Sequence, residues 1–169
     1  SRMERPLLEK AIDDMRGFPR QVEHFGFIGA GEPLMHPELP EFVRHVKDSG
    51  IAKYVSVTSN CSLLTAEKSR ALLDAGLDEL RMTLVHTTSS GYKRLTGIFS
   101  DVELVKANMR KMRELRDEGG YKTRLVCKLI DTWLTEPEKE KYSEWHDCAD
   151  ALATNTVCDL LGGESDTVD

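Results

Sequence analysis

With 169 residues, 40% hydrophobic and 31% charged, the chain is long enough for one domain with a real core and too apolar to be disordered. Its formal charge of −6 lacks the basic excess that marks nucleic-acid binding. No apolar run approaches the roughly 20 residues of a membrane span and no signal-peptide pattern opens the chain, so the expected compartment is cytoplasmic.

Hydrophobic periodicity predicts alternating helices and strands. Residues 4–16 carry Leu7, Leu8, Ile12 and Met15 at helical spacing, with Pro6 in the first turn. A strand is expected over 24–29, then a helix over 38–48 with Leu39, Phe42, Val43 and Val46 on one face and Gly50 at its end. The β-branched run 53–59 predicts a second strand. Thr65 caps a helix over 66–75, with Glu67 in its first turn and Gly76 beyond it. A strand over 78–85 leads into a short helical turn at 92–95. A long helix over 101–118 follows, with Val102, Val105, Met109 and Met112 inward, and Gly119-Gly120 breaks it. The last elements are a strand at 122–130, a helix at 136–147 through Pro137, and a weak strand near 151–157. Residues 1–160 form a single expected domain, and the polar tail 161–169 is expected to fray.

Strands separated by helices imply βαβ units, a parallel sheet and the α/β class. Such units close into a barrel or lie open, and in both cases ligands sit beyond the C-terminal strand ends. The residues that converge there are Gly29 to Pro33, Thr58 to Cys61, Thr83 to His86 and Lys128 to Asp131. This rim is polar, with no justified nucleophile–His–acid set, and its catalytic residues are unassigned.

The most informative run is Phe25 to Pro37, an apolar strand ending in Gly29-Ala30-Gly31-Glu32-Pro33. Gly29 and Gly31 permit positive φ and close backbone approach, while Pro33 biases Glu32 toward an extended conformation. The run is either a plain turn or a loop that anchors a small ligand through an amino group. His86 is expected to be a solvated loop histidine, with a general base as the alternative, and His36 and His45 are also expected to be solvated. Lys106, Arg110, Lys111 and Arg113 predict a solvated helix face with Glu114 and Asp117. Cys61, Cys127, Cys148 and Cys158 are scattered, with no C-x-x-C pair and no histidine at metal-ligand spacing. They are expected to be ordinary thiols.

The ordered motifs GAGEP-Leu-Met-His-Pro, Thr-Ser-Asn, Leu-Leu-Thr and Ala-Gly-Leu-Asp-Glu-Leu-Arg-Met-Thr-Leu resemble the core of the radical S-adenosylmethionine (radical SAM) superfamily, from about Glu4 to about Val157. The resemblance implies a partial, open (β/α)6 barrel lacking its first strand. It implies that backbone around Gly29, Ala30, Gly31, Glu32 and Pro33 holds the methionyl amino group of S-adenosylmethionine. Asn60 then faces the site and Thr83 lies near the ribose, with Lys128 and Arg81 as weaker candidates for the carboxylate or ribose. It further implies a 4Fe–4S cluster, an electron donor and a substrate of the kind that SPASM- or twitch-like members modify, a peptide, protein or cofactor.

Departures accompany these matches. The C-x-x-x-C-x-x-C loop that ligates the cluster is absent, and the four scattered cysteines cannot replace it, so this chain holds no metal site. In the family that loop precedes a helix like residues 4–16, so the chain is expected to begin just after it. Cys61 stands where the family has glycine, and Val85-His86 replaces a common Asp-Gly. The expected function is therefore part of a radical SAM enzyme, inactive alone. The alternative is a cluster-free barrel acting as a binding or partner module. A hydrolase or nucleotide-binding domain is disfavoured, because G-x-S-x-G and G-x-x-x-x-G-K-[ST] are missing.

Overall fold

A computed structural model describes residues 2–29, 31–130 and 134–155. Ala30, Asp131, Cys158 and the tail 161–169 lie outside the described residues.

Helix α1 (Arg5–Arg16) precedes strand β1 (Val22–Phe27), and a 3-10 turn (Pro33–Met35) leads into α2 (Leu39–Ser49). Then come β2 (Ala52–Ser59), α3 (Ala66–Asp74), β3 (Glu79–Leu84), α4 (Ser89–Thr96) and α5 (Val102–Gly119). Strand β4 (Arg124–Ile130), α6 (Glu136–Glu140), a 3-10 segment (Lys141–Asp147) and β5 (Ala151–Asn155) complete the order. Among the described residues, five strands form one parallel sheet in the order β1-β2-β3-β4-β5, with β1 and β5 at its edges.

The helices form where apolar spacing and caps coincide. Leu39, Phe42, Val43 and Val46 are all buried on α2, as are Val102, Val105, Met109 and Met112 on α5. On α1 only Leu8 and Ile12 are buried, and Leu7 is exposed. Thr65 Oγ1 accepts the Lys68 N–H and caps α3. Gly50, Gly97 and Gly120 end α2, α4 and α5 in the left-handed region.

Three elements differ from the sequence expectation. Strand β1 runs two residues earlier, ending at Phe27. The turn expected at 92–95 is a full helix, because Thr88 Oγ1 accepts the Gly91 N–H and caps it. The helix expected at 136–147 is α-helical only to Glu140 and then 3-10. Tyr142, Trp145 and Cys148 recur every three residues and are all buried. A three-residue turn keeps that spacing on one face, and an α-helical turn does not.

Strand residues alternate between two environments. Phe25, Phe27, Val55, Val57, Leu80, Met82, Leu84, Leu125, Cys127 and Leu129 join the helices in one hydrophobic core. The opposite face carries His24, Tyr54, Ser56, Thr58, Glu79, Arg81, Thr83, Arg124 and Lys128. Its lower part is a closed polar layer. Glu79 accepts from Tyr54 Oη at 3.1 Å and Arg81 at 2.5 Å, and His24 Nε2 is hydrogen-bonded to Ser56 Oγ at 2.7 Å.

The ladder is closed twice by one device. Val55 N–H donates to Asp78 Oδ2 and Asp78 N–H donates to Val55 O. Leu125 N–H donates to Asp150 Oδ2, and Asp150 N–H to Leu125 O. Each aspartate meets a helix cation, Lys47 of α2 for Asp78 and Arg116 of α5 for Asp150. The expected stripe on α5 is solvated in part, with Lys111 paired to Glu114 and Arg113 near Asp117, but it also meets the 3-10 segment. Lys106 lies 5.6 Å from the Trp145 ring, Arg110 pairs with Asp147, and Arg113 donates to His146 O. Packing takes up the long stems while their charged heads find partners.

Candidate functional site

The loop after β1 is fastened to the end of β2 by one carboxylate. Glu32 Oε1 accepts from Ser59 Oγ at 2.5 Å and from Leu34 N–H at 3.0 Å, and Oε2 accepts the Asn60 N–H at 2.9 Å. The extended Glu32 backbone that Pro33 favours aims the side chain at β2. The Glu32 carboxylate is thus spent within the protein, and what the loop leaves open is its backbone.

That backbone is open. A Cβ built on Gly29 or Gly31 meets nothing within 4 Å. The positive-φ glycines among the described residues are Gly50, Gly76, Gly97 and Gly120, so steric openness, not a left-handed turn, is what the loop glycines offer. Gly29, Gly31, Glu32 and Pro33 form one end of a cleft of about 430 Å³ along the open edge of β1, with Phe25 and Phe42 among its apolar walls.

Asn60 sits beside this loop, but its Oδ1 accepts from the Ser62 N–H at 2.9 Å and Ser62 Oγ at 2.7 Å. Cys61 then adopts φ 57°, the left-handed conformation expected where the family has glycine, with its side chain fully buried. Asn108 of α5 donates to Cys61 O at 3.0 Å and supports the turn.

Thr83 and Lys128 are register partners on β3 and β4, both half-buried. Lys128 makes no hydrogen bond or ion pair within the described residues. A half-buried ammonium without a partner is costly, so this side chain is available for an anion. Arg81 is already engaged by Glu79. Lys128 lies three strands from the Gly29 loop, about 14 Å at about 4.8 Å per strand.

His86 is buried, 1% exposed, and not the solvated loop histidine that the sequence suggested. Gly91 leaves room for its ring, since a Cβ there would lie 2.1 Å from it. Nδ1 accepts the Thr88 N–H at 3.0 Å, which places the proton of the neutral ring on Nε2. Nε2 lies 3.1 Å from Glu138 Oε1, at ion-pair distance but outside hydrogen-bond alignment. Glu138 is also met by Arg94 at 3.1 Å and by the Thr135 N–H and hydroxyl, each at 2.9 Å. The Thr135 backbone contact foremost, then Arg94, lowers its pKa from 4.5 to about 2. His36 is likewise tied down, donating to Met3 O and accepting the Glu38 N–H. Neither histidine position was legible in sequence, because both depend on partners more than 30 residues away or on a missing Cβ.

The thiols do not fit an iron–sulfur cluster. Cys61, Cys127 and Cys148 are buried. Burial pushes Cys127 up to about 12, Cys148 to about 11 and Cys61 further still. Buried in the core, none of the three offers an accessible thiol to a cluster. Among the described residues no group of three or more His, Cys, Asp or Glu can hold a metal ion. No described helix is long and apolar enough to cross a membrane.

The chain is 30% identical over 161 residues to the tungsten-containing aldehyde ferredoxin oxidoreductase cofactor-modifying protein of Pyrococcus furiosus, covering 94% of this chain and 42% of that protein. It is 37% identical over 89 residues to a probable GTP 3',8-cyclase of Methanococcus aeolicus, covering 52% of this chain and 29% of that one. The chain thus spans less than half the length of these relatives. The fold resembles Streptococcus suis SuiB bound to S-adenosylmethionine, with a TM-score of 0.64 at 12% identity, covering 81% of this chain and 30% of SuiB. A 2,3-dimethylmalate lyase shares the general architecture with a TM-score of 0.57 at 12% identity, covering 87% of this chain and 52% of the lyase. The radical SAM superfamily model matches residues 3–137, and the chain belongs to that superfamily.

Proposed function

We propose that this chain is the S-adenosylmethionine-binding part of a radical SAM enzyme whose cluster ligands lie outside these 169 residues. The observation that carries the reading is the open backbone at Gly29 and Gly31, held in place by Glu32, within a chain of this family. Exposed N–H and C=O groups there suit the methionyl amino and carboxylate groups. Ala30, between the two glycines, belongs to the proposed loop. Thr83 offers a hydroxyl near the ribose, and Lys128 a cation for a carboxylate or other anion. Asn60 contributes its backbone carbonyl and the amide nitrogen that Ser62 leaves unused, its N–H being held by Glu32.

A 4Fe–4S cluster held by residues outside this chain would supply the electron for reductive cleavage of S-adenosylmethionine. The residues present bind and orient the nucleoside and shield it. They do not hold the cluster, so no step through it is assigned to them. An external electron donor is part of the proposal.

The open edge of β1 beside an apolar cleft suits a further strand in a longer chain, giving the (β/α)6 arrangement. A SPASM- or twitch-like enzyme that modifies a peptide or cofactor is the favoured subtype. Two relatives support it: a cofactor-modifying protein, and SuiB, whose structure has also been determined bound to the precursor peptide SuiA. A cytoplasmic location is proposed with it.

The test begins with the coding sequence upstream of Ser1. A strand ending in C-x-x-x-C-x-x-C, followed by anaerobic reconstitution that yields bound iron and sulfide and 5′-deoxyadenosine on reduction, supports the reading. An upstream strand without those cysteines, and no product, replaces it with the cluster-free binding barrel.

A further inference from the structure

The segments that follow β3 and β4 in the chain meet at Glu138. From the β3 side come His86, Thr87 and Arg94, and from the β4 side comes Glu138 in the first turn of α6. Thr87 Oγ1 donates to Glu138 O at 3.0 Å, Arg94 donates to Glu138 Oε1 at 3.1 Å, and His86 Nε2 lies 3.1 Å from the same oxygen. Glu138 Oε2 is held from below by Thr135. One side chain therefore bridges two rim segments about 50 residues apart in sequence, and His86 closes the gap between them with a ring that only the Gly91 backbone can accommodate.

This is not an acid–His–hydroxyl catalytic set. Thr88 Oγ1 already accepts the Gly91 N–H as the cap of α4, and Nδ1 already accepts the Thr88 N–H. The ring is too buried to reach a ligand. The cluster joins the two rim segments, and through them it acts on what they carry.

We propose that Glu138 is a positioning residue that locks the β3 and β4 rim segments together and so fixes how Thr83 and Lys128 face a bound nucleoside. The role rests on the S-adenosylmethionine reading above. Thr83 and Lys128 are Cα partners on adjacent strands, one and two residues before the ends of β3 and β4, where the joined segments begin.

The test uses the complete protein with S-adenosylhomocysteine as the probe, comparing Glu138→Ala, Glu138→Gln and Glu136→Ala. Glu136 shares the first turn of α6 but pairs only outward with Lys139. Amide hydrogen exchange in residues 86–96 is expected to quicken in Glu138→Ala and not in Glu136→Ala. Calorimetric affinity for the probe should fall about tenfold in Glu138→Ala, a coupling of ordinary allosteric size, and recover partly in Glu138→Gln, which keeps an acceptor for Arg94. Exchange in 86–96 that ignores Glu138 overturns the lock. Quickened exchange with unchanged affinity overturns the positioning role. Failure of the wild-type protein to bind the probe removes the S-adenosylmethionine reading and the positioning role with it, while the exchange comparison still decides the lock by itself.

Discussion

Glu32 Oε2 accepts the Asn60 N–H at 2.9 Å and so binds the glycine loop after β1 to the last turn of β2. Its other oxygen takes the Ser59 hydroxyl and the Leu34 N–H. Glu32→Ala leaves the buried Ser59 hydroxyl and two backbone donors without their acceptor. The expected cost is about 1.5–3 kcal/mol, as for hydrogen bonds to a charged group, read from urea unfolding. An unchanged midpoint would show that the loop holds without this carboxylate.

Gly31→Val separates stability from binding. A Cβ at Gly31 meets nothing within 4 Å, so the melting temperature should move little. The added side chain occupies space that a ligand on the loop backbone needs, and S-adenosylmethionine affinity in the complete protein should fall at least tenfold, a loss of about 1.4 kcal/mol. Equal affinity in the two proteins would remove Gly31 from the site.

Lys128→Met keeps the stem and removes the charge. The ammonium has no partner within the described residues, so the substitution should leave stability unchanged or raise it slightly. It should weaken a ligand carrying a carboxylate or phosphate opposite Thr83. A clear drop in thermal stability would mean that Lys128 serves the fold.

Tyr142 stitches β4 to β5. Its hydroxyl lies within reach of Cys127 O and Ala153 O, giving its one proton to either, and accepts the Ala153 N–H at 3.1 Å. Tyr142→Phe keeps the ring in the core and strands those backbone groups, at about 1–3 kcal/mol. Hydrogen exchange at Ala153 should quicken more than at β2 amides; uniform change across the sheet would refute a local stitch.

The Glu138 contacts have a defined acid limit. The folded group titrates near 2 against an ordinary 4.5, so its contribution is present above the ordinary value and is lost as pH falls through the folded one. Exchange protection of residues 86–96 should persist from neutral pH to about pH 4 and decline below it. Protection lost already between pH 7 and 5 would assign the clamp to another group.

Periodicity and caps in the sequence determined the element order, the parallel α/β class and the buried faces of α2 and α5, because local spacing decides which side of a helix is apolar. The GAGEP run likewise marked the loop, and the glycine-like position of Cys61 was visible as a departure from a motif. Tertiary structure alone decided how those residues are used. The Glu32 carboxylate is consumed by a residue 27 positions away, and His86 is buried because Gly91 lacks a side chain and Glu138 lies across the rim. Lys106, Arg110 and Arg113 of α5 find partners on the 3-10 segment, and α6 gives way to that segment where the buried Tyr142, Trp145 and Cys148 recur every three residues. Spacing along a chain fixes local conformation, whereas partners for charges and polar atoms are set by which distant segments the sheet brings together.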